Sequence, residues 1–214
     1  MEYKALYLER LKEIVDISYK ILIQKIGNGS IKPWNEASFQ LEFGIILKAI
    51  GHLYEFDIDD KFHLEFETGK KFNEISNKSG SNTARIDIFM MFKNKDVCVT
   101  AAIELKFFKK ENLREPNNRY DVFKDLKNLE LYKNNDVDLC FFILGTNHSH
   151  YVGAEKYSKA TSDFDFRDST TYIKGTVLEY KTANPYGRPI SLDNNYSFNW
   201  DKFENIYFLK VEVA

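Results

Sequence analysis

Two apolar stretches are the strongest indication of the architecture: ARIDIFMMF at residues 84–92 and VCVTAAIELKFF at residues 97–108, joined by NKD at 94–96. Both stretches have the texture of β-strands, and a short polar turn joins strands that run antiparallel to each other. The second stretch is apolar on both faces, which is typical of a strand that is covered on both sides. We therefore predict an antiparallel pair with 97–108 near the centre of a sheet.

Three ionisable residues interrupt these apolar strands. Asp87 lies in the first strand, and the alternation of side chains places Glu104 and Lys106 on one face of the second. An ionised group that is kept dry costs several kcal/mol unless a partner or a metal ion compensates for the lost water. The trio therefore indicates a functional site. The alternative is a structural ion pair between neighbouring strands.

The sequence on either side of this pair alternates between helical and strand patterns. Apolar residues at helical spacing predict helices at 2–26, about 35–51 and 119–133. Strands are predicted at 62–67 and 138–145, with further strands at 171–180 and 205–213. A Gly, Ser and Asn-rich loop is predicted at 76–83. The expected fold is α/β, with a central mixed β-sheet flanked by helices and core elements in the order α-β-β-β-α-β.

The length of 214 residues fits a single domain. We divide it into an N-terminal helical extension (1–34), a core (35–145) and a C-terminal β-rich extension (146–214). No apolar run reaches the roughly 18 residues that a membrane span needs, and the amino terminus does not follow a signal-peptide plan. We expect a soluble, cytoplasmic protein. Cys98 and Cys140 lie in apolar runs and are expected to pack as small hydrophobic groups.

Charge and motif content narrow the classes of function. The formal net charge is −2, so a nucleic acid would have to be held by a local basic strip or through a metal ion. No GxxxxGK stretch, G-x-S-x-G elbow or GxGxxG after a strand is found, so nucleotide hydrolysis, esterase chemistry and dinucleotide binding lack their usual motifs. The HSH triplet at 148–150 has no third ligand at suitable spacing and is interpreted as a pair of loop histidines.

The two strands together resemble a known family. IDIFM at 86–90 followed by AAIELKFF at 101–108 resembles the bipartite signature of the PD-(D/E)xK nuclease superfamily, and the order of elements over 35–145 resembles its restriction-endonuclease-like core. Ile86 stands where the name of the superfamily places Pro. The run QLEFG at 40–44, taken with IELKFF, also resembles a group of uncharacterised bacterial and phage-associated members.

The resemblance implies a magnesium-dependent phosphodiesterase, with Mn²⁺ as a substitute metal. Asp87, Glu104 and Lys106 would be its catalytic residues. Asp87 and Glu104, together with the backbone carbonyl of Leu105, would hold one or two ions through hard oxygen ligands. Lys106 would position or help to deprotonate the attacking water and neutralise developing charge.

The superfamily also tends to use a glutamate from the helix before the sheet as an extra metal ligand. Glu42 is our first choice because it lies beside Phe39 and Ile46 on the inward flank of that helix. Glu36 is the alternative, but it falls in the first turn, where a carboxylate already has a role in offsetting the helix dipole.

Basic residues near these strands are candidates for binding phosphates, namely Arg85, Lys109, Lys110, Arg114 and Arg119. For 109–114 a solvated charged loop is the alternative interpretation. The implied partner is nucleic acid, DNA rather than RNA, cut by an endonuclease of restriction, repair or phage-defence type. Cleavage of both strands would favour a symmetric homodimer.

Two other classes remain open from the sequence. One is a catalytically inactive module of the same architecture that binds nucleic acid or a protein partner. The other is a structural α/β domain in which Glu104 and Lys106 only pair with their neighbours.

Overall fold

A computed structural model describes residues 2–71 and 83–214. The elements up to the centre of the chain are α1 (Glu2–Gly27), α2 (Glu36–Leu53), β1 (Lys61–Lys71), β2 (Thr83–Asn94), β3 (Val97–Phe108), α3 (Glu115–Asn134) and β4 (Leu139–Thr146). They are followed by α4 (His150–Gly153), β5 (Thr170–Tyr172), β6 (Tyr196–Phe198), β7 (Trp200–Lys202) and β8 (Tyr207–Val213). The loop predicted at 76–83 lies outside the described residues except for Thr83, which begins β2.

The predicted helices and strands are present, with three differences in extent. Strand β1 continues four residues beyond the predicted 62–67, to Lys71. Helix α3 begins at Glu115, four residues before the apolar spacing starts at 119, because Pro116 is well suited to the first helical turn. The strand predicted at 171–180 is shortened to β5. Gly175 has a positive φ of 81°, which turns the backbone out of an extended conformation.

Within the described residues, six strands form one sheet in the order β1-β2-β3-β4-β8-β7. Strands β3 and β4 are parallel and all other neighbours are antiparallel. Helices α1 and α2 cover one face, and α3 together with the C-terminal residues covers the other. The predicted α/β class, with a central mixed sheet flanked by helices, is confirmed.

Strand β3 contributes to the apolar core on both faces of the sheet. Ala102 and Phe108 belong to the cluster that includes α3, whereas Ile103 and Leu105 belong to the cluster that includes α1 and α2. The prediction of a doubly covered strand is therefore confirmed. The prediction for Cys98 is wrong: this thiol is exposed, because it lies beside the turn at 95–96 at the end of the strand, while Cys140 is buried.

No helix in residues 2–71 and 83–214 is both long enough and apolar enough to span a membrane.

The buried carboxylate of Asp60 connects α1 to the sheet. It accepts hydrogen bonds from the Tyr7 hydroxyl, from Arg10 Nη1 at 3.1 Å and from Asn94 Nδ2 at 2.8 Å. It also accepts the backbone N–H of Asp57 at 3.1 Å. Burial alone would raise the pKa of Asp60, but hydrogen bonds from Asn94 and Tyr7 and the charge of Arg10 outweigh burial and hold the pKa below its ordinary value.

Replacing Asp60 with Asn is expected to lower the free energy of unfolding at pH 7 by about 3 kcal/mol, because Arg10 loses its buried partner. A carboxyl whose pKa is depressed in the folded state stabilises the protein above its unfolded pKa of about 3.9, and this contribution is lost as the pH falls through the lower folded value. Urea unfolding should therefore show a weaker dependence on acid pH in the variant.

The matched control is Asp59→Asn. Asp59 forms a surface ion pair with Lys95 at 2.7 Å, which is worth at most about 1 kcal/mol. Equal loss of stability in the two variants would contradict the role assigned to Asp60.

The C-terminal extension is tied to α3 by the buried carboxylate of Glu130. It accepts the backbone N–H groups of Asp193 at 2.8 Å and Asn194 at 2.9 Å, and the hydroxyl of Tyr196 at 2.9 Å. These bonds hold β6 and the residues that lead into it against α3.

Candidate active site

Strand β2 turns over at Asp87. Residues two positions apart on a strand normally share a face, yet Ile86 lies in the core cluster with α3 and Ile88 lies in the cluster with α1 and α2. On the neighbouring strand β1, Glu67 has a positive φ of 53°. It interrupts the β1–β2 ladder between the pairs Phe66–Ile88 and Thr68–Ile86. Regular alternation would place Arg85 on the face of Asp87, but alternation does not hold between these two residues.

Asp87 marks the point where β2 leaves β3. The ladder between the two strands ends at the pair Ile88–Ile103. Beyond it, the backbone N–H of Leu105 donates to Asp87 Oδ2 at 2.8 Å, so a carboxylate takes the place of a strand carbonyl. Gln40 of α2 donates to the backbone carbonyl of Asp87 at 2.6 Å and fixes this part of the strand. The Asp87 carboxylate therefore bridges the two strands where their ladder ends.

Glu104 faces α3 from the adjacent strand. Its side chain is fully buried, and its Oε1 accepts a hydrogen bond from the hydroxyl of Tyr132 at 3.0 Å. Burial raises the pKa of Tyr132, and the charges of Glu104 and Asp87 act in the same direction. Both carboxylates are thus close enough to influence the same hydroxyl. Asp87 also accepts a hydrogen bond from the backbone N–H of Leu105, the residue that follows Glu104. The two acids predicted from the sequence are brought together on one side of the sheet.

The ammonium of Lys106 lies among carboxylates. Its Nζ is 3.1 Å from Asp125 Oδ2 and 3.6 Å from Glu36 Oε1, and it donates to the backbone carbonyl of Leu105 at 2.9 Å. Burial alone would lower the pKa of Lys106, but the charges of Asp125, Glu36, Asp87 and Glu104 outweigh burial and raise it above its ordinary value. The group is a cation at neutral pH, which favours positioning and charge neutralisation over the deprotonating role considered from the sequence.

The structure brings Glu36, and not Glu42, to this cluster. Gln40 and Glu36 are four residues apart on α2 and lie on the face that meets the sheet. Glu42 follows Gln40 by two residues, about 200° around the helix axis, and points away from Asp87. The apolar neighbours Phe39 and Ile46 therefore do not bring Glu42 to the cluster, and the prediction of Glu42 as the helical ligand is not supported. The side chain of Glu36 is 48% exposed. Partial burial raises its pKa, Lys106 opposes this, and Asp87 and Asp125 add to it.

A row of polar side chains on α3 faces the same cluster and was missed from the sequence. Asp121, Asp125, Asn128 and Tyr132 follow each other at spacings of four, three and four residues, which is one face of a helix. Asn128 is fully buried, and neither atom of its amide finds a hydrogen-bond partner among the described residues. An unpaired buried amide costs about 1–3 kcal/mol. The helical spacing of these four residues could have predicted a polar face on α3, but the apolar residues between them dominate the pattern.

Lys106 lies in a cleft of about 550 Å³ between α2, the end of β3 and α3. The cleft is also lined by Trp34, Glu36, Lys109, Arg114 and Asp121. It therefore opens Lys106 and Glu36 to solvent, although Asp87 and Glu104 do not line it, and it contains two of the five basic residues predicted to bind phosphates.

The other three basic residues do not line the cleft, and two of them, Arg85 and Arg119, form ion pairs with glutamates. Lys110 is exposed and does not line this cleft, and its backbone N–H donates to Asn147. Arg85 is exposed, with its Nε 2.9 Å from Glu67 Oε2. The prediction for Arg119 is wrong. Its guanidinium is fully buried, pairs with Glu115 at 2.6 Å and lies over the ring of Tyr157, so it holds the C-terminal extension and cannot contact a substrate.

The oxygen donors of the cluster fit Mg²⁺. Asp87, Glu104 and the Leu105 carbonyl are hard ligands, and the carbonyl has a second lone pair besides the one that Lys106 uses. In the described part of the chain no three Asp, Glu, His or Cys side chains are grouped closely enough to hold an ion by themselves. Magnesium commonly uses one or two carboxylates and completes its shell with water and substrate phosphate. The arrangement suits such an ion and does not suit a closed site made entirely of protein ligands.

Comparisons with protein-family models, with curated proteins and with solved structures found no match to this chain.

Proposed function

We propose that the protein is a magnesium-dependent nuclease of the PD-(D/E)xK type that hydrolyses phosphodiester bonds in DNA as an endonuclease of restriction, repair or phage-defence type. The observation that carries the proposal is the meeting of Asp87, Glu104 and Lys106 where β2 separates from β3, beside an open cleft. The order of α2, β1, β2, β3, α3 and β4 supports a restriction-endonuclease-like core.

Asp87 and Glu104, with the Leu105 carbonyl, would hold Mg²⁺, or Mn²⁺ as a substitute. Bound there, the ion supplies Lewis-acid polarisation of the phosphate and a more acidic water. Glu36 at the mouth of the cleft replaces Glu42 as the candidate for an additional ligand.

The protein's own groups prepare the site for a phosphate. The backbone N–H of Leu105 and the amide of Gln40 hold Asp87 in place, and the hydroxyl of Tyr132 holds Glu104. Because these groups are fixed before substrate binds, little reorganisation is required at the reacting centre. The Lys106 ammonium orients a water molecule by donating to its oxygen and neutralises negative charge that develops on the phosphate oxygens.

The test is a cleavage assay on plasmid, linear duplex, single-stranded DNA and RNA in the presence of Mg²⁺, Mn²⁺ or EDTA. The proposal predicts cleavage of at least one DNA form with Mg²⁺ or Mn²⁺ and none with EDTA. Absence of metal-dependent cleavage on every form would contradict it. Plasmid nicking compared with linearisation also shows whether both strands are cut, as a homodimer would allow.

One observation favours a second candidate, an inactive module of the same architecture that binds nucleic acid or a protein. Lys106 already contacts Asp125, Glu36 and the Leu105 carbonyl, as a purely structural ion pair would. The cleft beside Lys106 favours the enzyme, because a structural pair needs no route to solvent. DNA binding without any turnover in the same assay would support the inactive module.

A further inference from the structure

We propose that Trp34 forms a stacking platform for one unpaired base, so that the cleft takes a single-stranded or locally opened DNA segment and not an intact duplex. This inference rests on the proposed nuclease function and specifies its substrate. It begins from the position of Trp34, which lies between α1 and α2, is 75% exposed and lines the same cleft as Lys106.

The backbone at Trp34 is held rigidly although its ring is exposed. Its N–H donates to Ser38 Oγ at 2.7 Å, and the next residue, Asn35, forms a capping box with Ser38 at the start of α2. The fold fixes this backbone but does not bury the large aromatic side chain. Such an arrangement adds little to the stability of the fold and is suited to binding a ligand.

One face of the ring is already occupied. The ammonium of Lys109 lies 4.3 Å from the ring centroid, a cation–π contact that holds the indole in place. The high exposure of the side chain leaves the opposite face open to a flat partner. A nucleic-acid base offers such a face whatever its sequence, and proteins that bind single strands commonly combine aromatic platforms with neighbouring cations.

The platform is within reach of the reacting centre. Glu36 follows Trp34 by two residues, which places their Cα atoms at most about 7 Å apart. Glu36 Oε1 is in turn 3.6 Å from Lys106 Nζ. Arg114 lines the same cleft and can bind a backbone phosphate. A base on Trp34 would therefore belong to a nucleotide close to the phosphate that is cut. Bases inside a duplex are stacked on each other and cannot lie flat on the ring.

The chain contains two tryptophans, and this permits a direct test. Trp200 is buried and donates its Nε1–H to the carbonyl of Phe166, so it does not contact an added ligand. Titration is done on the full chain in Ca²⁺ or EDTA, where turnover is prevented, with a single-stranded oligonucleotide, its duplex and an abasic single strand of the same length. Fluorescence reports on the ring, and anisotropy of labelled DNA reports on affinity.

We expect the single strand to quench Trp34 and to bind more tightly than the duplex or the abasic strand. Trp34→Ala should weaken binding of the single strand about tenfold, with little change for the abasic strand, because only base stacking is lost. Trp34→Phe should keep most of the affinity and lose the quenching. Tyr3→Ala is the control, since Tyr3 is also exposed but lies with Asn94 and Asp96 at the other end of the strands.

Any one of three results would overturn the platform. Trp34→Ala could bind the single strand as tightly as the wild type does, or the wild type could bind the abasic strand as tightly as the intact strand, or it could bind the duplex more tightly than the single strand. These outcomes are distinct from failure of the nuclease proposal, which is decided by metal-dependent cleavage. If the protein cleaves DNA and Trp34→Ala does not weaken binding of the single strand, the nuclease proposal stands and the platform is ruled out.

Discussion

Substitution of Asp87 by Asn is expected to lower the rate of DNA cleavage by roughly a thousandfold, equivalent to about 4 kcal/mol of transition-state stabilisation. The substitution removes the charge that would hold the ion and keeps an oxygen that can accept the Leu105 N–H. The fold should therefore be preserved, and the melting temperature should change little. Single-turnover cleavage in Mg²⁺, together with thermal unfolding of the same preparation, measures both effects.

The matched control for this experiment is Asp138→Asn. Asp138 Oδ2 accepts the backbone N–H of Thr100 at 2.9 Å, so it caps a strand amide of β3 just as Asp87 does, but at the other end of the strand. The Asp138→Asn variant should cleave DNA at the wild-type rate. Cleavage by Asp87→Asn at a rate similar to that of Asp138→Asn would refute the assignment of Asp87.

Substitution of Lys106 by Met is expected both to abolish cleavage and to lower the free energy of unfolding by about 3–5 kcal/mol. The methionine keeps the length of the side chain and removes the charge. The buried carboxylates of Asp125 and Glu104 would then lose the cation that compensates for their mutual repulsion. Urea unfolding and single-turnover cleavage measure the two losses separately.

A divalent ion should restore part of the lost stability in Lys106→Met, because it binds the folded state through the same carboxylates. We expect Mg²⁺ or Mn²⁺ to raise the melting temperature of this variant more than that of the wild type, while cleavage remains absent. Lys127→Met is the control. Lys127 also contacts two carboxylates, those of Glu130 and Asp193, but it does not line the cleft. A variant at Lys106 that cleaves normally would leave this lysine with a structural role only.

Much of the sheet could be predicted from the sequence because its signals are local. Alternation, the turn at 95–96 and the double-sided apolar character of β3 each depend on a few adjacent residues, and they placed Glu104 and Lys106 on one face. The same alternation, counted back from Phe89, puts Asp87 on the face of Glu104. Regular alternation would have put Arg85 on the same side, whereas the strand turns over at Asp87 and separates them.

The remaining errors come from contacts between distant parts of the chain. Arg119 looked like a cation for phosphates, but Thr161 and Tyr157, about forty residues away, bury it. Glu36 was set aside for a role at the helix end, because the angle at which α2 crosses the sheet is not encoded in its own periodicity. Asp125 was missed because an acid on a helix is usually solvated, and only the fold shows that it is buried against Lys106.

A calorimetric titration of Mn²⁺ into the wild-type protein and into the double variant Asp87→Asn, Glu104→Gln tests whether the two carboxylates share a divalent ion. The amides keep acceptors for the Leu105 N–H and the Tyr132 hydroxyl and remove both charges. If Asp87 and Glu104 share a divalent ion beside Lys106, the wild type shows saturable binding and the double variant shows none. Equal Mn²⁺ binding by the two proteins would show that Asp87 and Glu104 do not hold the ion.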